Sequence, residues 1–164
     1  MPLREPLNVL YRIKRGLAGY VSYLAACEMN PAFSEYVLYE PVLRILTARG
    51  YAARCEVPAP GIPRVTSGDL KRIDFEAQGH EQHFALEVKW ARKPKMNVEN
   101  DHAKLVAFLN NKAGARGFLC VFGRKSDVRK VRLVPNAFVE IGYPVFAEFG
   151  ITKYGCRMFE TWVS

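Results

Sequence analysis

The sequence predicts an α/β fold, a mixed central sheet flanked by helices, on three observations. Two short runs of strand-forming residues, 72–77 and 83–90, flank a polar segment containing Gly79 and read as a hairpin. Apolar residues recur at helical spacing before and after that hairpin, over 34–49 and 98–111. GFLCVF at 117–122 is a continuous apolar run without alternation, as in a central strand covered on both faces. Strand, helix and strand across 83–122 then make a right-handed crossover, with the last strand parallel to the second strand of the hairpin.

With 164 residues, 49% of them apolar, the chain is long enough for one domain with a real core. Lys and Arg number 24 against 16 Asp and Glu, a formal net charge of +8, which favours a polyanionic partner such as nucleic acid over a small neutral substrate. Cys27, Cys55, Cys120 and Cys156 lie far apart without a CxxC, so zinc-site spacing fails. Cys55 and Cys120 fall in apolar strand-like runs and read as small buried hydrophobes. A reduced, cytoplasmic setting is the simplest expectation, and no run is long enough to span a bilayer.

In chain order, residues 7–28 read as one helix. Leu10, Ile13, Leu17, Val21 and Leu24 line its apolar side, and Arg12, Lys14 and Arg15 make a basic one. LAAC at 24–27 resembles a lipoprotein processing box. Gly16, Gly19, Tyr20, Ser22 and Tyr23 make a poor lipid-soluble core, so a packing helix is the preferred reading. Asn30-Pro31 marks a break, Ser34 caps a second helix, and Gly50 ends it after Arg49. Pro41 is expected to start, kink or interrupt that helix near Glu40. Residues 51–57 form a first strand with Glu56 near its end, and 58–68 a Pro/Gly/Ser-rich loop carrying Arg64. After the hairpin, ARKPKM at 91–96 is basic and Pro94 ends the strand. These charges form either a solvated loop or a wall of a nucleic-acid groove. The helix over 98–111 has Leu105, Phe108 and Leu109 on its apolar side, with Asp101 and Lys104 one turn apart. The core thus covers about 34–123, preceded by a helical segment over 1–30. A C-terminal extension over 124–164 follows, with a helix or turn near 136–141 and aromatic strand candidates of no assigned place.

Alternation along the hairpin sorts its charges. Ile73 and Phe75 are expected on one face and Asp74 on the other, while Leu86 and Val88 oppose Glu87 and Lys89. Asp74, Glu87 and Lys89 can therefore share one side. Two carboxylates and an ammonium inside an apolar hairpin are costly unless partnered, and a divalent cation supplies a partner. The plainer alternative is an ion-paired cluster on a solvated face.

Asp74, followed thirteen positions later by Glu87-Val88-Lys89, resembles the D…ExK signature of the PD-(D/E)XK nucleases, the restriction-endonuclease-like fold. Ile73 stands where the signature's name has proline. The resemblance spans 34–123: SEYVLYEPVLRILTARGY is similar to the family's first core helix, CEVP to its first strand, and DHAKLVAFLNN and GFLCVFG to its later helix and strand. It implies an αβββαβ core and a metal-dependent DNA endonuclease. By the same resemblance, Asp74, Glu87 and the main-chain carbonyl of Val88 hold Mg2+, with Mn2+ able to substitute, and Lys89 assists the attacking water. A helix carboxylate beside the metal is expected at Glu35, with Glu40 the alternative, and Glu56 in or next to the site. Arg64, Lys71, Arg72, Arg92, Lys93, Lys95 and Lys104 are the expected nucleic-acid contacts. Many enzymes of this fold cut duplexes as two-fold dimers. Open alternatives are a catalytically silent nucleic-acid-binding subunit of the same fold, or a structure-specific or RNA nuclease.

Overall fold

The computed structural model describes residues 4–29, 34–62, 71–134 and 136–163. Helix α1 (Leu7–Ala26) buries Val9, Leu10, Ile13, Leu17, Val21 and Leu24, the expected apolar stripe. Its basic side is narrower than expected. Lys14 is buried and donates to the carbonyls of Ile141 (3.2 Å) and Tyr143 (2.8 Å), leaving Arg12 and Arg15 exposed. The second helical segment divides into a 3-10 turn, Glu35–Leu38, and helix α2 (Tyr39–Ala48). Pro41 therefore sits in the first turn of α2, where no intrahelical N–H is required of it. Ser34 precedes the 3-10 turn but makes no side-chain capping bond. Gly50 follows α2 at φ 81°, the left-handed stop that glycine permits.

Strands β1 (Ala52–Pro58), β2 (Arg72–Gly79) and β3 (Gln82–Trp90) form an antiparallel meander. The β2–β3 turn is two residues long. His80 and Glu81 both have positive φ, 52° and 58°, which matches the twist that a two-residue hairpin demands. A bond between His80 Nε2 and the Arg49 carbonyl, 2.6 Å, fixes the turn against the end of α2. Helix α3 (Glu99–Asn111) starts with Asn97 Oδ1 accepting from the Glu99 N–H at 3.1 Å. It leads to β4 (Arg116–Arg124), which runs parallel to β3 from Phe84↔Arg116 to Trp90↔Phe122.

The extension finds its place in the same sheet. After helix α4 (Lys125–Lys130) come β5 (Val139–Glu140), β6 (Val145–Phe149) and β7 (Thr152–Thr161). The strand order is β1-β2-β3-β4-β7-β5, with β6 also paired to β7, so β4 is an interior strand, as its apolar run implies. One core joins α1 and α2 to Phe75, Phe84, Leu86, Val88, Phe118 and Phe122. The other joins α3 and α4 to Ile73, Ala85, Leu119 and Val121. Ile73 and Phe75 thus serve opposite cores rather than one face. Cys120 is buried but Cys55 is exposed, against expectation: it lies on β1, the outermost strand beyond β2. The Asn30-Pro31 break and the Arg64 loop lie outside the described residues. Among those described, no helix is long and apolar enough to cross a membrane.

Gly155 on β7 shows how tightly the extension is joined. A Cβ there would stand 2.3 Å from Phe146 Cδ1 and 2.9 Å from the Val145 carbonyl oxygen. Gly155→Ala is expected to cost about 1–3 kcal/mol through overpacking, read as a lower midpoint in thermal melting. An unchanged melting temperature would show that β6 does not press against β7 at this point.

Candidate functional site

The site lies where β2 and β3 part. Their ladder runs from Gly79↔Gln82 to Phe75↔Leu86 and stops, although both strands continue. One further step in that register sets Asp74 opposite Glu87. There the side chains take over the missing backbone bonds. Asp74 Oδ2 accepts from the Val88 N–H at 2.8 Å, and the Asp74 N–H donates to Glu87 Oε1 at 3.3 Å. In an extended strand the N–H and C=O of one residue face the same neighbour, so the Val88 carbonyl opens toward this fork as well. On the other side of β2, Glu56 of β1 has φ 54°, left-handed for a non-glycine residue inside a strand.

Three further side chains reach the fork. Tyr39, in the first turn of α2, has its hydroxyl 2.6 Å from Asp74 Oδ1 and 2.7 Å from Glu56 Oε1. A phenol has one proton, so it donates to one carboxylate at a time, and the second contact needs a proton from elsewhere. Lys104 of α3 donates to Glu87 Oε2 at 2.6 Å and lies 3.5 Å from Asp101 Oδ1. Lys89 pairs with Asp101 Oδ2 at 3.0 Å, outside hydrogen-bond geometry, so that buried oxygen has no hydrogen-bond partner. The result is a chain of contacts from Glu56 through Tyr39, Asp74, Glu87, Lys104 and Asp101 to Lys89.

Its charges do not balance. Glu56, Asp74, Glu87 and Asp101 face Lys89 and Lys104, four carboxyl groups against two ammonium groups. Burial raises the Asp74 carboxyl, and the bonds from Tyr39 and Val88 and the nearby Lys104 charge do not offset it. Burial, then the Asp74 charge, pushes Glu87 up to about 9 against the opposing pull of Lys104. For Lys104, burial would lower the value, but the charge and hydrogen bond of Glu87 outweigh it and the ammonium is held charged. A fully ionised Glu87 and a raised Glu87 are not the same state. The carboxylate excess favours the raised direction, with the Asp74–Glu87 pair retaining a proton beside a charged Lys104. Burial, followed by the Asp74 bond, raises the Tyr39 phenol, which stays neutral.

Of the residues expected from the sequence, Asp74 and Glu87 come together, and Lys104 joins them as a partner of Glu87. Lys89 lies on the Glu87 face of β3 but is turned to Asp101. Glu35 accepts from the Trp90 N–H at 3.2 Å, two residues beyond the Val88 N–H that donates to Asp74. Glu40 is exposed and paired with Arg44. Glu56, through Tyr39, is the carboxylate that approaches from β1. Lys71, Arg72, Arg92, Lys93 and Lys95 are exposed. Arg64 is outside the described residues. Tyr39 and Asp101 are additions, and each stands at helical spacing from a residue already singled out: Tyr39 four after Glu35, Asp101 three before Lys104.

The fork's ligands are all oxygen, the chemistry of Mg2+. Each oxygen of Asp74 and Glu87 accepts one bond and keeps a second lone-pair direction. No group of three or more His, Cys, Asp or Glu side chains among the described residues is arranged to hold a metal ion. Two carboxylates and a carbonyl, completed by water, are donors of the kind that could hold Mg2+. Compared with protein-family models, curated proteins and solved structures, the chain matches none.

Proposed function

We propose that this chain is a Mg2+-dependent phosphodiesterase that cuts nucleic acid, DNA in the first instance, on a restriction-endonuclease-like core. The observation that carries the reading is the parting of β2 and β3 with Asp74 and Glu87 face to face and two lysines in reach. The order of helix, three antiparallel strands, helix and parallel strand supports it. Mg2+ or Mn2+ at Asp74, Glu87 and the Val88 carbonyl would polarise a phosphodiester and acidify a water. Asp74 and Glu87 fix the site on two rigid strands. Lys89, released from Asp101 by an incoming phosphate, orients or deprotonates the attacking water and offsets charge on the phosphoryl oxygens. Lys104 holds Glu87 in place. A two-fold dimer would present one fork to each strand of a duplex.

Lys89→Ala is expected to lower Mg2+-dependent nicking of supercoiled plasmid by about 10²–10⁴-fold. Lys89→Arg should not restore it, because a guanidinium is planar, larger and not a base. Undiminished cleavage by Lys89→Ala, in a preparation inhibited by EDTA, would end this assignment.

A second reading, a nucleic-acid-binding subunit that does not cut, is favoured by the bonds that Tyr39, Lys104 and the backbone already make to every oxygen of Asp74 and Glu87. Mg2+ titration calorimetry separates the two: binding heat that disappears in Asp74→Ala supports the enzyme, and none in the native chain supports the silent subunit.

A further inference from the structure

Beyond the tips of β4 and β7 lies a feature that the fork does not use. A cavity of about 580 Å3 has Arg124, Lys125, Arg129, Ile151, Thr152 and Lys153 in its lining. Four of its nine lining residues are cations. Glu148 lies 3.4 Å from both Lys125 and Lys153, and ion pairs of that length on solvated side chains are weak, so the basic excess stands. Packing fixes the cations in advance. Lys125 Nζ and Arg129 Cζ lie 5.3 and 5.1 Å from the ring centroid of Phe146, which rests on Gly155. Thr152 Oγ1 donates to the Ser22 or Phe149 carbonyl, at 3.0 and 2.7 Å, and ties the wall to α1.

Topology aligns this cavity with the fork. Because β3 and β4 are parallel, their C-terminal ends share one edge of the sheet, and Arg124 follows Phe122, the partner of Trp90. Arg92, Lys93 and Lys95 are exposed on the same edge. At about 3.3 Å per residue and 4.8 Å per strand, the cavity lies roughly 15–20 Å from Glu87. That is about five base-pair steps of duplex at 3.4 Å each. Ile151 is 97% exposed at the β6–β7 turn, an apolar side chain placed to meet a sugar or base beside the phosphates. An anionic bilayer would draw on the same cations. The concave lining, continuous with the basic edge that leads to the fork, favours a nucleic-acid strand.

We propose that this cavity grips the phosphodiester backbone of a nucleic acid whose scissile phosphate lies at the Asp74–Glu87 fork, the choice of ligand resting on the nuclease reading. The test is fluorescence anisotropy of a labelled 30-base-pair duplex in EDTA, where binding is read without cleavage. Arg129→Ala with Lys153→Ala should weaken binding roughly tenfold at 100 mM salt and make the slope of log K against log salt shallower by about two. Arg129→Lys with Lys153→Arg should bind like the native chain, which separates lost charge from lost folding. An unchanged affinity and slope in the double alanine variant would overturn the proposal. So would a native chain that binds phosphatidylglycerol vesicles, but not the duplex, through these residues. If the double alanine variant loses duplex binding while the native chain hydrolyses nothing in Mg2+, the cavity stands and the nuclease reading falls.

Discussion

Glu87→Gln is expected to abolish Mg2+-dependent cleavage, by about 10³-fold or more, and yet to leave the protein at least as stable as the native chain at pH 8. The two effects have one cause. Glutamine keeps the shape of the side chain and an oxygen for Lys104 or the Asp74 N–H, but it removes the negative charge that a cation at the fork needs. Transition-state charge stabilisation by a metal is worth several kcal/mol, and about 4 kcal/mol is 10³ in rate. Stability moves the other way because the native carboxyl is buried against Asp74 and pushed up to about 9.

The sign follows from linkage. A carboxyl raised in the folded state binds its proton more tightly there than in the unfolded chain. Its stabilising contribution is complete below its ordinary value near 4.5 and is lost as pH rises toward about 9. Native stability should therefore fall across pH 5–9, by at most about 1.4 kcal/mol per pH unit for one proton. Glu5, Glu76 and Glu148, all held below the ordinary carboxylate range, act in the opposite sense and only at lower pH. Urea titrations at several pH values would show the slope in the native chain and a flatter one in Glu87→Gln. Millimolar Mg2+ should stabilise only the native chain at pH 8. A variant that cuts as fast as the native chain, or that keeps the full pH slope, would remove Glu87 from the cation site.

Much of this site was legible in the sequence, since period-two alternation and a short turn are local signals. They place Glu87 and Lys89 on one face and allow Asp74 to share that side. The sequence did not disclose that Ile73 and Phe75 go to opposite cores. Nor did it disclose the parting of β2 and β3, where side-chain bonds replace a ladder and no pattern along one strand encodes the change. Lys89 was expected beside the carboxylates, but its ammonium pairs with Asp101 because α3 lies over β3 there. Tyr39 was hidden for a similar reason: only the docking of α2 on Phe75, with ring centroids 4.8 Å apart, carries its hydroxyl to Asp74. The extension resisted placement because β7 pairs with β4, thirty to forty-four residues away, and its exposed and buried positions do not alternate cleanly.

Lys104→Met is expected to be the most destabilising change at the site, and its cost should depend on pH. The ammonium is 12% exposed, donates to Glu87 and lies near Asp101, so its loss leaves the buried carboxyls with Lys89 as the remaining cation of the cluster. Breaking a buried pair by removing one partner costs about 3–5 kcal/mol. Glu87 can escape part of that by keeping its proton. Without Lys104 its value rises further above about 9, so the variant loses little near pH 7, where Glu87 keeps its proton with or without Lys104, and the full amount only well above pH 9. For a chain of this size that is a fall of about 10 °C in melting temperature at the higher pH. Lys104→Met combined with Glu87→Gln should recover most of the loss, since the uncompensated carboxylate is gone, and a double-mutant cycle measures the coupling directly. A solvated surface cluster would behave otherwise, with a penalty below about 1 kcal/mol at either pH and no recovery in the pair. That second result would mean that the carboxylates at the β2–β3 fork are not held out of water, and that neither a retained proton nor a cation is needed there.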